Sequence, residues 1–363
     1  MIANSCDEWS PLKEVIVGSP VNFVTQSLDI SFKAFFHDVA YPSYQKNPRQ
    51  KIRRQYVDEL VEDVTGLVNT LERLGVKVYR PTALKRQLKI NTPYWHTTTI
   101  PALNIRDQAI VIGNEIIETP PQVRARYFEN DLLKPIFYKY FRDGTKWTVM
   151  PRPMLTDHSI DLSYIADQNP DAVASTYVQH HSEFDMGHEM IIDGAQCVRF
   201  GRDILINIAN ENHELGYQWL QQHLDTNFRF HKVYRLADNH IDSIILPLRP
   251  GLLLMRSPRY YDRLPEIFKK WDAIYLPETS QSNFPEYEED DLILTSKFID
   301  LNVLSVDEEK VIVNSDFPEL IRLLEKHGFT PIPVRHRHRR IFGGGFHCFT
   351  LDTVREGSLN EYL

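Results

Sequence analysis

Two rhythms of hydrophobic positions alternate along this chain. Short apolar runs come in pairs about a turn: "AIVIGNEIIE" (109–118), "CVRFGRDILINI" (197–208), "SIILPLRPGLLLM" (243–255) and "VLSVDEEKVIV" (303–313). The runs break at Gly-Asn, Gly-Arg-Asp, Arg-Pro-Gly and Asp-Glu-Glu-Lys, which is turn chemistry between β-branched segments, so each pair predicts a β-hairpin. After each hairpin comes a segment with apolar residues three and four positions apart, the helical period, and then another short strand.

The clearest helix lies in "DFPELIRLLEKHGFTPIPV", where Asp316 can cap, Pro318 suits the first turn, Leu320, Leu323 and Leu324 share a face, and Gly328 can end it. "YVDELVEDVTGLVNTLERLGVKVYRP" repeats this logic, with apolar positions at helical spacing from Val57 to Leu74. "ELGYQWLQQHL" before "RFHKVYRL" and "LPEIFKKW" before "DAIYLP" are further units. Five helix-plus-strand units therefore stand against four internal hairpins. The fifth hairpin is available from the two ends, "LKEVIVGSP" pairing with "HCFTLDTV", which would close a ring of five ββαβ units. A doubly wound α/β sheet also alternates strands and helices, but its strands do not come as hairpins and no G-x-G-x-x-G follows a first strand here. Residues 158–190 fit no unit and are expected to form an insertion or lid on a single domain, 1–363.

Composition narrows the function. With 363 residues, 42% hydrophobic, 25% charged and a net charge of −8, the chain is expected to be soluble and globular. A mildly acidic balance argues against nucleic-acid or anionic-membrane partners, which need a basic face, and leaves small-molecule chemistry. No apolar stretch approaches membrane-spanning length, and "MIANSCDEWS" lacks the basic and apolar regions of a secretory signal, so the cytoplasm is the expected location. Cys6, Cys197 and Cys348 cannot all pair and are expected to be free thiols.

Of the three, Cys348 has the context of a nucleophile. It ends "GGGFHC", and a thiol becomes useful where a positive neighbour or a helix terminus lowers its pKa and the backbone admits a substrate. A buried core cysteine is the competing reading. Among the 14 histidines, His240 in "ADNHIDSII" sits at a strand mouth with Asp242 on the same side two residues on, while His347 is expected to point to the face opposite Cys348. Asp107, Asp193 and Asp242 each precede a hairpin. In a ring of hairpins these entrances would meet, so the three acids would line one pocket suited to a planar cation such as guanidinium; singly, each would be a turn cap. "HHSEFDMGHE" has His180, His181, Glu183, His188 and Glu189 but neither H-E-x-x-H nor paired cysteines, and reads as a polar lid. "RHRHRR" reads as an exposed loop or a phosphate contact.

Taken together, "DEWSPLKEVIVGSP", "RDQAIVIGNEIIETP", "KWTVMPRP", "FGRDIL", "HIDSIILPLRPGLLL", "GGGFHCFTLD" and "REGSL" resemble the arginine-dependent amidinotransferases, typified by glycine amidinotransferase and the inosamine-phosphate enzymes of streptomycin pathways, across nearly the whole chain. The resemblance implies a five-bladed α/β-propeller with pseudo-fivefold symmetry, ping-pong transfer of an amidino group from L-arginine to an amine, no metal, no cofactor and a homodimer. It implies Cys348 as nucleophile, His240 as general acid/base and Asp193 as the acid that orients it. Asp107 and Asp242 would hold the guanidinium, and Arg259 and Ser296 would bind the amino-acid part of the substrate. The likeness is greatest to the secondary-metabolite enzymes, including the arginine:lysine enzyme of phaseolotoxin biosynthesis. It therefore implies lysine as acceptor, giving homoarginine and ornithine, with glycine and an aminocyclitol as alternatives. One departure is Gln196, where glycine amidinotransferase has a second acid. A guanidine hydrolase of the arginine deiminase type, releasing citrulline and ammonia, and a non-catalytic propeller that only binds partners are the competing classes.

Overall fold

The apolar strand runs are nearly unbroken because both faces of each strand are buried. The computed structural model describes residues 1–165, 184–224 and 227–363, and it folds them around five three-stranded mixed sheets and one small hairpin. Most of the insertion expected at 158–190, with His180, His181 and Glu183, lies outside the described residues.

Four sheets follow the hairpin-helix-strand order read from the sequence. Ala109–Ile112 pairs antiparallel with Glu115–Glu118, which pairs parallel with Lys146–Val149. The same pattern joins Cys197–Phe200, Asp203–Ile208 and Arg229–Tyr234, then Ile245–Arg249, Leu252–Met255 and Asp272–Tyr275, then Leu304–Ser305, Lys310–Asn314 and Thr330–Val334. The remaining sheet comes from the two chain ends. Leu12–Val17 is central, antiparallel to Thr350–Arg355 and parallel to Lys77–Tyr79.

Side-chain alternation explains how the sheets pack. In Leu12–Val17, Val15 and Val17 enter one apolar cluster with Ile312 of the last sheet, while Ile16 enters another with Val111 of the next. Ile110 and Ile112 meet Ile204 and Ile206; Leu205 meets Leu253; Leu254 meets Val311 and Val313. Neighbouring sheets thus share a core pair by pair, and the fifth sheet shares one with the first. Each fully buried Ile, Leu or Val contributes roughly 1.5–3 kcal/mol, so a charge on either face of these strands would be costly.

The helices keep the predicted periods with three corrections, the first being that "LPEIFKKW" forms only a short 3-10 helix, Glu266–Lys270. Arg54–Arg73 buries Val57, Leu60, Val64, Leu67 and Leu71, but Leu74 lies past its end and is exposed. Pro318–Lys326 has Phe317 rather than Asp316 at its cap position and no side-chain cap; Asp316 lies one residue too early to reach the free amides. Gly328, at φ +81°, supplies the left-handed exit. "RHRHRR" is only in part the exposed loop expected: Arg335 is exposed, but His336, His338 and Arg339 are buried, with Arg339 paired to Asp300 at 2.6 Å and Arg337 to Asp63 at 2.8 Å. Neutral context in a linear sequence hides such pairs, because both acids are distant in the chain.

Candidate active site

Loops ahead of three hairpins deliver the acids. Asp107 ends the short turn Ile105–Asp107, Asp193 stands at the start of Gly194–Gln196, and Asp242 precedes Ile245–Arg249. All three are buried, and in each one carboxylate oxygen, Oδ1, takes no hydrogen bond among the described residues. A buried carboxylate oxygen left without a donor is costly, and a bound cation relieves it.

His240 lies among these acids. Its Nε2 donates to Asp193 Oδ2 at 2.8 Å, its Nδ1 is 3.6 Å from Asp107 Oδ1, and Phe35 meets the ring edge-on with centroids 5.0 Å apart. Burial pulls its pKa down, but Asp107, the bonded Asp193 and Asp242 outweigh it and push it up to about 9. The side chain is an imidazolium at neutral pH. Asp107, Asp193 and His240 also offer one ligand atom each within 4.8 Å of one another, a spacing a cation could use.

Cys348 sits just before the strand Thr350–Arg355. Its N–H donates to Asn302 Oδ1 at 2.8 Å, and its thiol to Asp242 Oδ2 at 3.4 Å. Burial, and then the charges of Asp242 and Asp107, raise the thiol pKa well above the usual range. His347 does not turn away as expected. The chain around it is a turn rather than a strand, and its Nδ1 donates to the same Asp242 oxygen at 2.8 Å while its Nε2 is 3.2 Å from Glu8 Oε2. Burial works against the Asp242 carboxylate, but the His347 bond and charge hold its pKa below the usual value.

The glycine run has a different reason from the one read in the sequence. A Cβ on Gly344 would sit 2.1 Å from Asn104 Oδ1, and one on Gly345 would sit 2.7 Å from Asn302 Cβ. Protein side chains, not a substrate, occupy the space beside these two. Only Gly343, at φ +66°, borders the open cavity.

That cavity, about 670 Å³, is lined by Cys348, His240 and Asp242 and also by Arg259 and Ser296. The three acids do not line it together. Asp193 touches neither open space, its carboxylate being turned to His240, and Asp107 borders an adjoining pocket of about 30 Å³ with Arg126 and Glu129. Arg126 Nη1 donates to Asp107 Oδ2 at 2.6 Å and its Nε to Glu129 Oε2 at 2.7 Å. Burial nevertheless keeps the Asp107 pKa raised, against the pull of His240 and Arg126. Gln196 is not on the cavity wall either. Its Oε1 accepts from the Asp193 N–H and from Gln122 Nε2, both at 2.9 Å, and its Nε2 donates to the Asn207 carbonyl at 3.0 Å. Sequence reading missed Arg126, Asn302 and the role of His347, since none carries a motif and each acts through a residue distant in sequence.

A buried thiol, an imidazolium and carboxylates thus stand together, an arrangement chemically able to carry nucleophilic attack. No protein-family model matches the chain. It is 34% identical to the mitochondrial glycine amidinotransferase of Xenopus tropicalis over 99% of this chain and 84% of that one. It is 32% identical to the L-arginine:L-lysine amidinotransferase of Pseudomonas savastanoi pv. phaseolicola over 99% of this chain and 96% of that one. Among solved structures, the inosamine-phosphate amidinotransferase of Streptomyces griseus superposes with a TM-score of 0.85 at 33% identity, covering 99% of both chains. The chain belongs to the amidinotransferases and is an enzyme of that class.

Proposed function

We propose that this enzyme moves the amidino group of L-arginine, through an amidino-cysteine on Cys348, to an amine acceptor, with L-lysine the acceptor and homoarginine and ornithine the products. The observation that carries the reading is the set of buried carboxylates, each with an oxygen lacking a donor, around His240 and the Cys348 thiol. The five sheets, with a shared core between each neighbouring pair and between the fifth and the first, support the reading of five blades about an axis. A cytoplasmic homodimer belongs to the same proposal, and sedimentation tests the dimer.

In this reading Asp242, on the wall of the main cavity, and Asp107, from the adjoining pocket, hold the guanidinium planar beside the thiol. Its positive charge offsets the two charges that keep the thiol protonated, so when substrate is bound the thiol releases its proton to water in the open cavity and the thiolate forms. The thiolate attacks the guanidinium carbon, and the imidazolium of His240, held by Asp193, protonates the departing ornithine nitrogen. The amidino-cysteine remains. An acceptor amine then enters the vacated space, attacks the same carbon and gives its proton to His240, restoring the imidazolium as the thiolate leaves. Arg259 and Ser296, on the cavity wall, would bind the amino-acid end of the substrate. The lid proposed at 158–190 would keep water from the intermediate.

Mass spectrometry of the protein with arginine alone, then with single amines, tests this. The expected result is an added amidino mass on Cys348, discharged fastest by lysine, and no added mass on a folded Cys348→Ala variant. Fastest discharge by glycine would replace the acceptor. Citrulline and ammonia without any amine would mean a hydrolase, and no change of mass would overturn the activity.

A further inference from the structure

The cavity that holds Cys348 also carries four arginines, Arg235, Arg256, Arg259 and Arg263, and one of them has no internal partner to explain it. Arg235 donates to Asp238 at 2.8 Å, and Arg263 to the backbone carbonyls of Tyr234 and Arg235 at 3.0 and 2.6 Å. Arg259 is exposed and donates to Tyr260 Oη at 2.8 Å. The Arg256 guanidinium makes no hydrogen bond and no ion pair among the described residues. It is half-buried and lies 3.9 Å above the Phe298 ring centroid and 5.7 Å from that of Tyr260. Burial and the like charge of Arg259 lower its pKa, against the opposing pull of Tyr260 and Asp38. Of the acids on the cavity wall, Asp238 is engaged by Arg235, Asp242 by His347, and exposed Asp38 forms no ion pair with Arg256.

A stacked guanidinium has its plane fixed and its N–H edges free, which is the geometry that binds an oxyanion with two parallel hydrogen bonds. Two like charges three residues apart face one cavity, and neither forms an ion pair among the described residues, so an anion between them is favoured. In the proposed function Arg259 binds the amino-acid end of the donor and is free again once ornithine leaves, so Arg256 is a second cation on the same wall for an acceptor's acid group. We propose that Arg256 forms a second anion subsite in the catalytic cavity and binds an acid group, carboxylate or phosphate, on the acceptor amine. This rests on the amidinotransfer reading and adds to it the residue that holds the acceptor's acid group. The subsite acts in the second half-reaction, when the amidino-cysteine awaits its amine.

The test loads the enzyme with arginine and follows discharge of the amidino-cysteine by paired amines, one with and one without the acid group. The pairs are lysine against 1,5-diaminopentane, glycine against methylamine, and phosphoethanolamine against ethanolamine. The expected result is that one acid-bearing amine discharges the enzyme roughly tenfold or more faster than its partner, the worth of a charged hydrogen-bonded pair. Arg256→Gln should collapse that ratio and slow this step far more than amidination by arginine, and Arg256→Lys should restore much of it. The pair that responds names the acid group. An unchanged ratio in folded Arg256→Gln, or equal slowing of both half-reactions, would overturn the subsite while leaving the transfer reading intact. Equal discharge by both members of every pair would do the same. No amidination of the unsubstituted enzyme would overturn the transfer reading and the subsite with it.

Discussion

The thiol of Cys348 and the imidazole of His347 meet one oxygen, Asp242 Oδ2, at 3.4 and 2.8 Å. Adjacent residues rarely converge on one atom, and here the turn before the last strand makes them do so. The consequence is electrostatic. His347 keeps Asp242 ionised, and the ionised Asp242 keeps the neighbouring thiol protonated until a cation arrives.

Replacing Asp242 by Asn removes one of the two charges that raise the Cys348 pKa. Alkylation of Cys348 by iodoacetamide, followed against pH in the absence of substrate, should shift to lower pH and run about tenfold faster at pH 8. Equal or slower alkylation at every pH would show that burial alone sets the thiol.

Asn302 holds the Cys348 backbone without lining the open cavity. Its Oδ1 accepts the N–H groups of Cys348 and Gly345 at 2.8 and 3.2 Å, and its Nδ2 donates to the Asp242 carbonyl at 3.2 Å. Asn302→Ala leaves three buried backbone groups without partners, so a loss of roughly 2–4 kcal/mol is expected. Urea unfolding should register that loss, and amidination of the folded fraction should slow. Wild-type stability in the variant would remove Asn302 from this role.

His240 couples protonation to folding. Its folded pKa of about 9 exceeds its usual 6.5, so the stabilisation is fully present below about pH 6.5 and is lost as pH rises through about 9. The full effect is on the order of 3 kcal/mol. The stability difference between the wild type and His240→Asn should therefore shrink between pH 6.5 and 9 in denaturant titrations. A difference that grows over that interval would reverse the sign of the shift.

Gln196 bridges Asp193, Gln122 and the Asn207 carbonyl inside the protein. Gln196→Glu, which installs the acid found in glycine amidinotransferase, sets a carboxylate oxygen against that carbonyl and a charge near Asp193. Destabilisation of roughly 2–4 kcal/mol is expected, read as a lower urea midpoint, with little change in acceptor preference because Gln196 does not line the cavity. A changed acceptor with unchanged stability would contradict this.

The sequence by itself determined the repeat. Strand runs such as "AIVIGNEIIE" are apolar on both faces because each face feeds a different inter-sheet core, and turn residues mark their ends. It also placed Cys348, His240 and the three acids at loop positions before strands, since hairpin starts recur at a period the eye can follow. Tertiary structure decided what those residues face. Asp107, Asp193 and Asp242 are equivalent in sequence, but only Asp242 reaches the main cavity, because Arg126 holds Asp107 in a side pocket and His240 covers Asp193. The glycine run, the charged "RHRHRR" and His347 were misjudged for the same reason. Their partners Asn302, Asp300 and Asp242 lie in other loops, and long-range contact, not local pattern, sets burial and charge.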